Sequence, residues 1–293
     1  MEKLQLIIIF LIVVIICSLL GEIKGKNNNS QNYHPQKKNK RKKPQDFYPP
    51  KVHNKHQLQK YAPPKKQGEA LEENTYYNSA YYKQTLYSYL DVTTDKGKYG
   101  EYLIYDCLKD YEEMGAKFLF NCYLYKDNGQ TTEIDVIMIH NGEIFVFESK
   151  NYSGWIFGSE KASIWTQTLA VGRGKPAEKE HFYNPIRQNE LHISCLRKIL
   201  GNKIPMHSIV VFSERCTFKD LKIDSSTAQV IKRDKLYRVV EKIVQQSKGK
   251  ADMYNVTNAY NMLYPYTQVS ERIKQQHIEN IRRDLEKQYR KTE

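Results

Sequence analysis

Acidic side chains are almost missing from residues 24–66, where Asp46 stands alone against 13 Lys and Arg. Cysteine is scarce and scattered: five residues, at positions 17, 107, 122, 195 and 216, with no CxxC pair. That spacing argues against a disulfide framework or a zinc site and favours a reducing compartment. Long apolar runs are confined to one, Leu4–Leu20, so a multi-span membrane protein is excluded. The phosphate-loop spacing is absent too. Gly172-Arg173-Gly174-Lys175 reads as a flexible turn whose basic residues are free to touch a backbone phosphate. Full disorder is excluded in turn, because 40% of the residues are hydrophobic and 12% aromatic.

What is present is unevenly placed. The chain of 293 residues carries +13, from 46 Lys and Arg against 33 Asp and Glu. Residues 92–215 hold 15 basic and 16 acidic side chains, a net of −1, whereas residues 216–293 hold 16 against 10, a net of +6. The basicity therefore describes the flanks and not a basic cleft in the central segment.

The apolar run of seventeen residues would make roughly 26 Å of helix, enough to cross a thin bilayer. Glu2 and Lys3 cancel in front of it, while Lys24, Lys26 and the run Lys37-Lys38-Asn39-Lys40-Arg41-Lys42-Lys43 follow. By the positive-inside tendency the bulk of the chain is expected in the cytoplasm, behind an N-terminal anchor at residues 1–26. A cleavable signal peptide, giving a secreted protein, is the competing reading. The residues it would need small, Leu19 and the Val14-Ile15-Ile16 preceding Cys17, are bulky.

Residues 27–75, rich in Asn, Gln, Lys and Pro with almost no aliphatic periodicity, read as a linker. Its charge suits a topology signal and solvated spacer, a contact with anionic lipid headgroups, or non-specific neutralisation of nucleic-acid phosphates.

A folded domain is expected over residues 76–240, with its core at 97–213, followed by a helical region at 241–293. Lys98 to Tyr111 carries a helical apolar stripe, Leu103, Ile104, Cys107, Leu108 and Tyr111. Lys117–Tyr125 reads as a strand, and Asp127-Asn128-Gly129-Gln130 as a turn. Glu133–His140 and Glu143–Lys150 are strands separated by Asn141-Gly142, the strongest short hairpin signal. Trp155–Gly158 and Ile164–Leu169 are candidate extensions of the same sheet. Asn184–Leu200 is a helix with Pro185 near its start and Ile186, Leu191, Ile193, Leu196, Ile199 and Leu200 as candidate core positions. Ile209–Phe212 is a short buried strand. The order α-β-β-β-α-β predicts a mixed α/β layer fold. Beyond Val230 the pattern is helical, and Val269, Ile273, Ile278, Ile281, Leu285 and Tyr289 form a stripe expected to pack on the domain or a partner.

The hairpin carries the chemistry. Glu148 and Lys150, two apart on a strand, project to one side. A two-residue turn at 141–142 places Asp135 opposite Glu148, with Cβ atoms about 5 Å apart. Two such carboxylates repel unless a cation offsets them, and oxygen ligands suit Mg²⁺ or Mn²⁺. Lys150 beside them is placed to orient or activate a water and to stabilise charge on a phosphate. Glu101, early in the preceding helix, is a further candidate carboxylate. The plain alternative is an ordinary edge-strand ion pair. His181 and His192 read as surface or helix residues rather than ligands, and the acceptor patterns at Asn28, Asn151 and Asn255 carry no meaning in a cytoplasmic domain.

A wider pattern surrounds these residues. Gly100-Glu101 opens a helix, Glu133-Ile134-Asp135 and Phe147-Glu148-Ser149-Lys150-Asn151 follow with Gly154 close behind, and Asn184-Pro185-x-x-Gln188 starts a helix. Together these motifs, running from Gly97 to about Phe212, resemble the nuclease-related domain, or NERD, family. The resemblance implies a restriction-endonuclease-like fold of the PD-(D/E)xK type, an αβββαβ core with a mixed sheet, and metal-dependent cleavage of nucleic acid. It implies that Asp135 and Glu148 are metal ligands, Lys150 the catalytic lysine, Glu101 the helix carboxylate and Gln188 the polar residue of the later helix. His192 stands four positions after Gln188, where related nuclease families often place Tyr.

The expectation is thus a membrane-tethered, cytoplasm-facing nuclease using Mg²⁺ or Mn²⁺ on nucleic acid, DNA before RNA. The rival is a non-catalytic module that holds nucleic acid or a protein at the membrane, with affinity supplied by the basic linker.

Overall fold

The computed structural model describes residues 73–170, 177–224, 228–247 and 253–289. The expected anchor, almost all of the linker and the Gly172–Lys175 turn lie outside them. Among the described residues no helix is long and apolar enough to cross a membrane.

Three short tyrosine-rich helices lead in: α1 (Glu73–Asn78), α2 (Ala80–Thr85) and α3 (Tyr89–Thr94). Ser79 and Ser88 cap the second and third by accepting backbone N–H groups of the first turn. Helix α4 (Lys96–Leu108) begins at Asp95, whose Oδ1 accepts the N–H groups of Gly97 and Lys98 at 2.8 and 3.0 Å. The expected helix ends earlier than its stripe implied, because Lys109–Glu112 tightens into a 3-10 turn.

Strands β1 (Lys117–Tyr125), β2 (Thr131–His140) and β3 (Glu143–Lys150) form an antiparallel meander. Asn141 and Gly142 both take positive φ, 52° and 74°, as the two-residue turn requires. Val136 pairs with Phe147 and His140 with Glu143, the expected register. Then come β4 (Gly154–Ser159), β5 (Ile164–Leu169) and β6 (Glu178–Tyr183), helix α5 (Pro185–Leu200), and strands β7 (Met206–Phe212), β8 (Cys216–Lys222) and β9 (Ala228–Lys232). Helices α6 (Leu236–Gln246), α7 (Met253–Leu263) and α8 (Glu271–Tyr289) complete the described chain.

The main sheet has the order β1-β2-β3-β7-β9, with β7 parallel to both of its neighbours, so it is mixed. Strands β4 and β5 do not extend it, contrary to expectation. They form a second mixed sheet, β6-β5-β4-β8. The reason is a corner. After Lys150 and after Phe212 the two parallel strands β3 and β7 both leave the main sheet, and they continue as the parallel pair β4 and β8. The Lys150 carbonyl accepts the N–H groups of Tyr152 and Ser213 at this bend. Arg215 closes it by donating to Asn151 O and Oδ1 at 3.1 and 2.9 Å.

Both faces of the main sheet are covered. On one, Phe118, Phe120, Val136, Met138, Phe145 and Phe147 pack against tyrosines of α1, α2 and α4 and against Leu236 and Val240 of α6. Each such side chain removed from water contributes about 1.5–3 kcal/mol, and edge-on pairs such as Tyr81 with Phe120, 4.9 Å between centroids, add about 0.5–1.5 kcal/mol. On the other face Leu119, Cys122, Ile137, Ile139, Ile144 and Val146 meet Cys195 and Leu196 of α5 and Val256, Ala259 and Leu263 of α7.

Two expected core patterns are corrected. Leu191 of α5 is exposed, and polar Asn189 and His192 are buried in its place. On α8, Ile278 and Ile281 are exposed, whereas His277 and Asn280 face inward. His277 packs edge-on against Tyr123 and its Nδ1 lies 3.0 Å from Thr131 Oγ1, while Ile273 of the expected stripe is half-buried.

Candidate active site

The five residues singled out from the sequence lie at the C-terminal end of β3 (Lys150) and on the elements flanking it. Gly100 makes this possible on one side. A Cβ there would fall 2.6 Å from Ser149 Oγ and 2.9 Å from Asn151 Cβ, so only glycine lets α4 approach the strand end so closely. Asn151 Nδ2 then donates to Lys96 O at 2.8 Å, fixing the first turn of α4 over the corner. On the other side Asn184 sets the start of α5. Its Oδ1 accepts the Ile186 N–H, and its Nδ2 donates to the carbonyls of Ser159, Glu160 and Ala162.

Glu148 is buried and its Oε1 is paired with the ammonium of Lys150. The same ammonium donates to Gln188 Oε1 at 3.3 Å. Asp135, half-buried on the neighbouring strand, accepts the backbone N–H of Ser149 on Oδ2 at 2.7 Å. It thus caps the ladder at the level of Glu148, as the register required. Glu101 is half-buried on α4 and accepts the Tyr81 hydroxyl at 3.0 Å.

Burial dominates the electrostatics. It raises Glu148 to about 8, opposed by Lys150 and reinforced by Asp135. Burial also raises Asp135, with Lys150 and the Ser149 N–H pulling the other way. Glu101 stands well above the usual carboxylate range through burial first, then repulsion from Asp135 and Glu133. For Lys150 burial acts to lower the value, but Glu148, Tyr152 and Asp135 outweigh it, so the ammonium is held firmly charged.

Two residues that were not candidates for the site belong to the same cluster. Glu133, raised to about 7 by burial, repels Asp135 and Glu101 and lies 3.7 Å from His277 of α8. His192 is completely buried on α5, with Nδ1 3.7 Å from Glu148 Oε2. It is a helix residue as expected, while His181 is exposed on β6 with Nδ1 3.0 Å from Thr166 Oγ1. The spacing from Gln188 to His192, four residues on one helix face, is the signal that could have found the second of these.

Among the described residues no group of three or more His, Cys, Asp or Glu side chains stands together as a metal-holding set. The carboxylates feel one another without converging. The chemistry of the donors nevertheless fits a hard divalent cation. Asp135 and Glu148 offer only oxygen, both are destabilised as anions, and among the described residues Glu148 Oε2 has no hydrogen-bonding partner.

The site thus lies on a mixed α/β core, with acidic residues and a lysine at the end of a strand beside an amide from helix α5. The chain belongs to the nuclease-related domain (NERD) family, whose model matches residues 96–213. An uncharacterized protein of Bacillus anthracis is similar to it, with 30% identity over 193 residues that cover 66% of this chain and 87% of that protein. This membership fits the PD-(D/E)xK superfamily. No solved structure matches the chain.

Proposed function

We propose that this protein is a metal-dependent nuclease that hydrolyses phosphodiester bonds of nucleic acid, DNA before RNA. The observation that carries the reading is the Lys150 ammonium, held between Glu148 and Gln188 with Asp135 on the adjacent strand. Asp135 and Glu148 would hold Mg²⁺ or Mn²⁺, with Glu101 behind Asp135. When bound, the cation polarises a phosphoryl oxygen and makes a bound water more acidic. Lys150, whose ammonium is favoured by the neighbouring Glu148 and Asp135, would stabilise negative charge growing on the phosphate and orient the attacking water. Gln188 gives the ammonium a second acceptor at 3.3 Å. The N-terminal apolar run and the basic linker would tether this activity to the membrane with the domain in the cytoplasm.

The test is Mn²⁺-dependent cleavage of labelled single- and double-stranded oligonucleotides by the full-length chain. Asp135→Ala and Lys150→Ala should each lower the rate by about 10²- to 10³-fold, since each removes charge stabilisation at the reacting phosphate. Cleavage by both at the wild-type rate would show the assignment to be wrong.

One observation favours a second reading, a non-catalytic nucleic-acid-binding module at the membrane: residues 92–215 carry a net charge of only −1, so affinity would fall to the linker. Replacing the six basic residues between Lys37 and Lys43 by Ser separates the two. An enzyme keeps metal-dependent cleavage, whereas a linker-driven binder loses its oligonucleotide affinity.

A further inference from the structure

We propose that His192 is a positioning residue for Glu148, its imidazole N–H holding Oε2 of the carboxylate while Lys150 holds Oε1. The inference rests on the metal-site reading above and adds a residue to it.

Glu148 and His192 are 1% and 0% exposed at their side chains, so bulk water does not serve them. Among the described residues, Glu148 Oε2 and both ring nitrogens of His192 have no hydrogen-bonding partner. Buried polar atoms are almost always paired, and each one left unpaired costs about 1–3 kcal/mol. Two of these atoms face one another: Nδ1 stands 3.7 Å from Oε2, beyond a direct hydrogen bond but within reach of one by a small side-chain rotation. A neutral imidazole has one N–H to give, and a carboxylate oxygen accepts it while keeping a lone pair for a cation.

The helix explains why one element serves both partners of the ion pair. Gln188 and His192 are four residues apart on α5 and lie on the same face, so the first meets Lys150 and the second meets Glu148. Asn189, between them, locks that face to the sheet by donating to Val146 O at 2.9 Å and Ser208 Oγ at 3.0 Å. The helix is thereby anchored at the point where its side chains address the carboxylate. Groups that orient a metal ligand in this way typically change metal affinity 10- to 100-fold when removed, without touching the metal.

The experiment is Mn²⁺ titration calorimetry on the full-length protein with a thermal melt of each variant. His192→Phe keeps the buried ring and removes the donor; His192→Asn returns an N–H near the position of Nδ1. The expected result is Mn²⁺ binding weakened about 10- to 100-fold in His192→Phe. His192→Asn should recover most of that loss although it packs the cavity less well and melts lower. Wild-type binding matched by His192→Phe overturns the role of His192 and leaves the metal site standing. Losses that follow the melting temperature in both variants, with no recovery in His192→Asn, also overturn it and reduce His192 to packing. No Mn²⁺ binding by the wild type, with or without an oligonucleotide present, overturns the metal-site reading and this inference with it.

Discussion

Asp135 Oδ2 accepts the backbone N–H of Ser149 at 2.7 Å, across the hairpin and directly beside Glu148. The carboxylate therefore has two tasks, closing the end of the strand ladder with one oxygen and offering charge with the rest. These tasks separate under substitution. Asp135→Asn keeps an acceptor for Ser149 and should cost less than about 1 kcal/mol, while Asp135→Ala leaves a half-buried N–H unpaired and should cost about 1–3 kcal/mol. Both variants should lose Mn²⁺ binding and cleavage. Urea midpoints and calorimetry check the two outcomes independently.

The same hairpin shows what local sequence can carry. Asn141-Gly142 dictates the turn, the turn dictates the register, and the register places Asp135 beside Glu148. Three consecutive inferences rest on two residues. The corner after Lys150 was not legible in this way, because Trp155 and Ile164 look like strand residues whichever sheet they join. Strand β6 was missed because Glu178–Tyr183 is largely exposed and has no apolar alternation to betray it. Asn189 was unreadable for the opposite reason, and only the spacing from Gln188 pointed to His192. On a helix a polar residue looks solvated until the sheet beneath is known to carry Glu148 and Ser208. Polar groups that meet only in the tertiary structure leave no periodic trace.

The buried Glu148–Lys150 pair should be costly to the fold. Burial raises Glu148 to about 8 from an ordinary value of 4.5, so the folded chain retains a proton that the unfolded chain releases. The carboxyl's contribution is accordingly most favourable below about 4.5 and is eroded as pH rises towards 8. Replacing both charges, Glu148→Gln with Lys150→Met, should leave stability unchanged or raise it by about 1–3 kcal/mol at pH 8 without metal, while abolishing cleavage. Lys150→Met alone leaves Glu148 without its cation. Its deficit relative to wild type should widen between pH 6 and pH 8.5. Denaturant titrations at the two pH values measure both effects, and a deficit that narrows with pH would contradict the buried-anion account.

His140, at the end of β2, is 4% exposed and packs edge-on against Tyr111 at 5.3 Å. Burial lowers its value from 6.5 to about 4, only partly opposed by Glu143. The unfolded chain then binds a proton that the folded chain refuses, so stability is full above 6.5 and falls as pH drops towards 4. The loss attributable to this residue is at most about 2 kcal/mol at pH 5. His140→Gln should flatten the dependence of the urea midpoint on pH between 7 and 5, without altering cleavage at neutral pH.

Asn184 tests whether the start of α5 is a generic cap or a specific clamp. As an N-cap, Asp would serve as well as Asn, because the interaction with the helix needs only an oxygen for the Ile186 N–H. Here, however, the amide nitrogen also faces the carbonyls of Ser159, Glu160 and Ala162, at 3.2, 2.9 and 2.6 Å. Asp would turn an acceptor toward three acceptors in a fully buried site. Asn184→Asp should therefore destabilise the domain by about 2–4 kcal/mol, more than Asn184→Ala, reversing the order expected of a simple cap. Because Gln188 sits one turn into the helix, some of that disturbance should reach Lys150. Residual cleavage at a temperature where Asn184→Asp is still folded should fall through a lowered kcat, the mark of a misplaced ammonium. Equal stability of the Asp and Ala variants would mean that the three carbonyls do not need the amide.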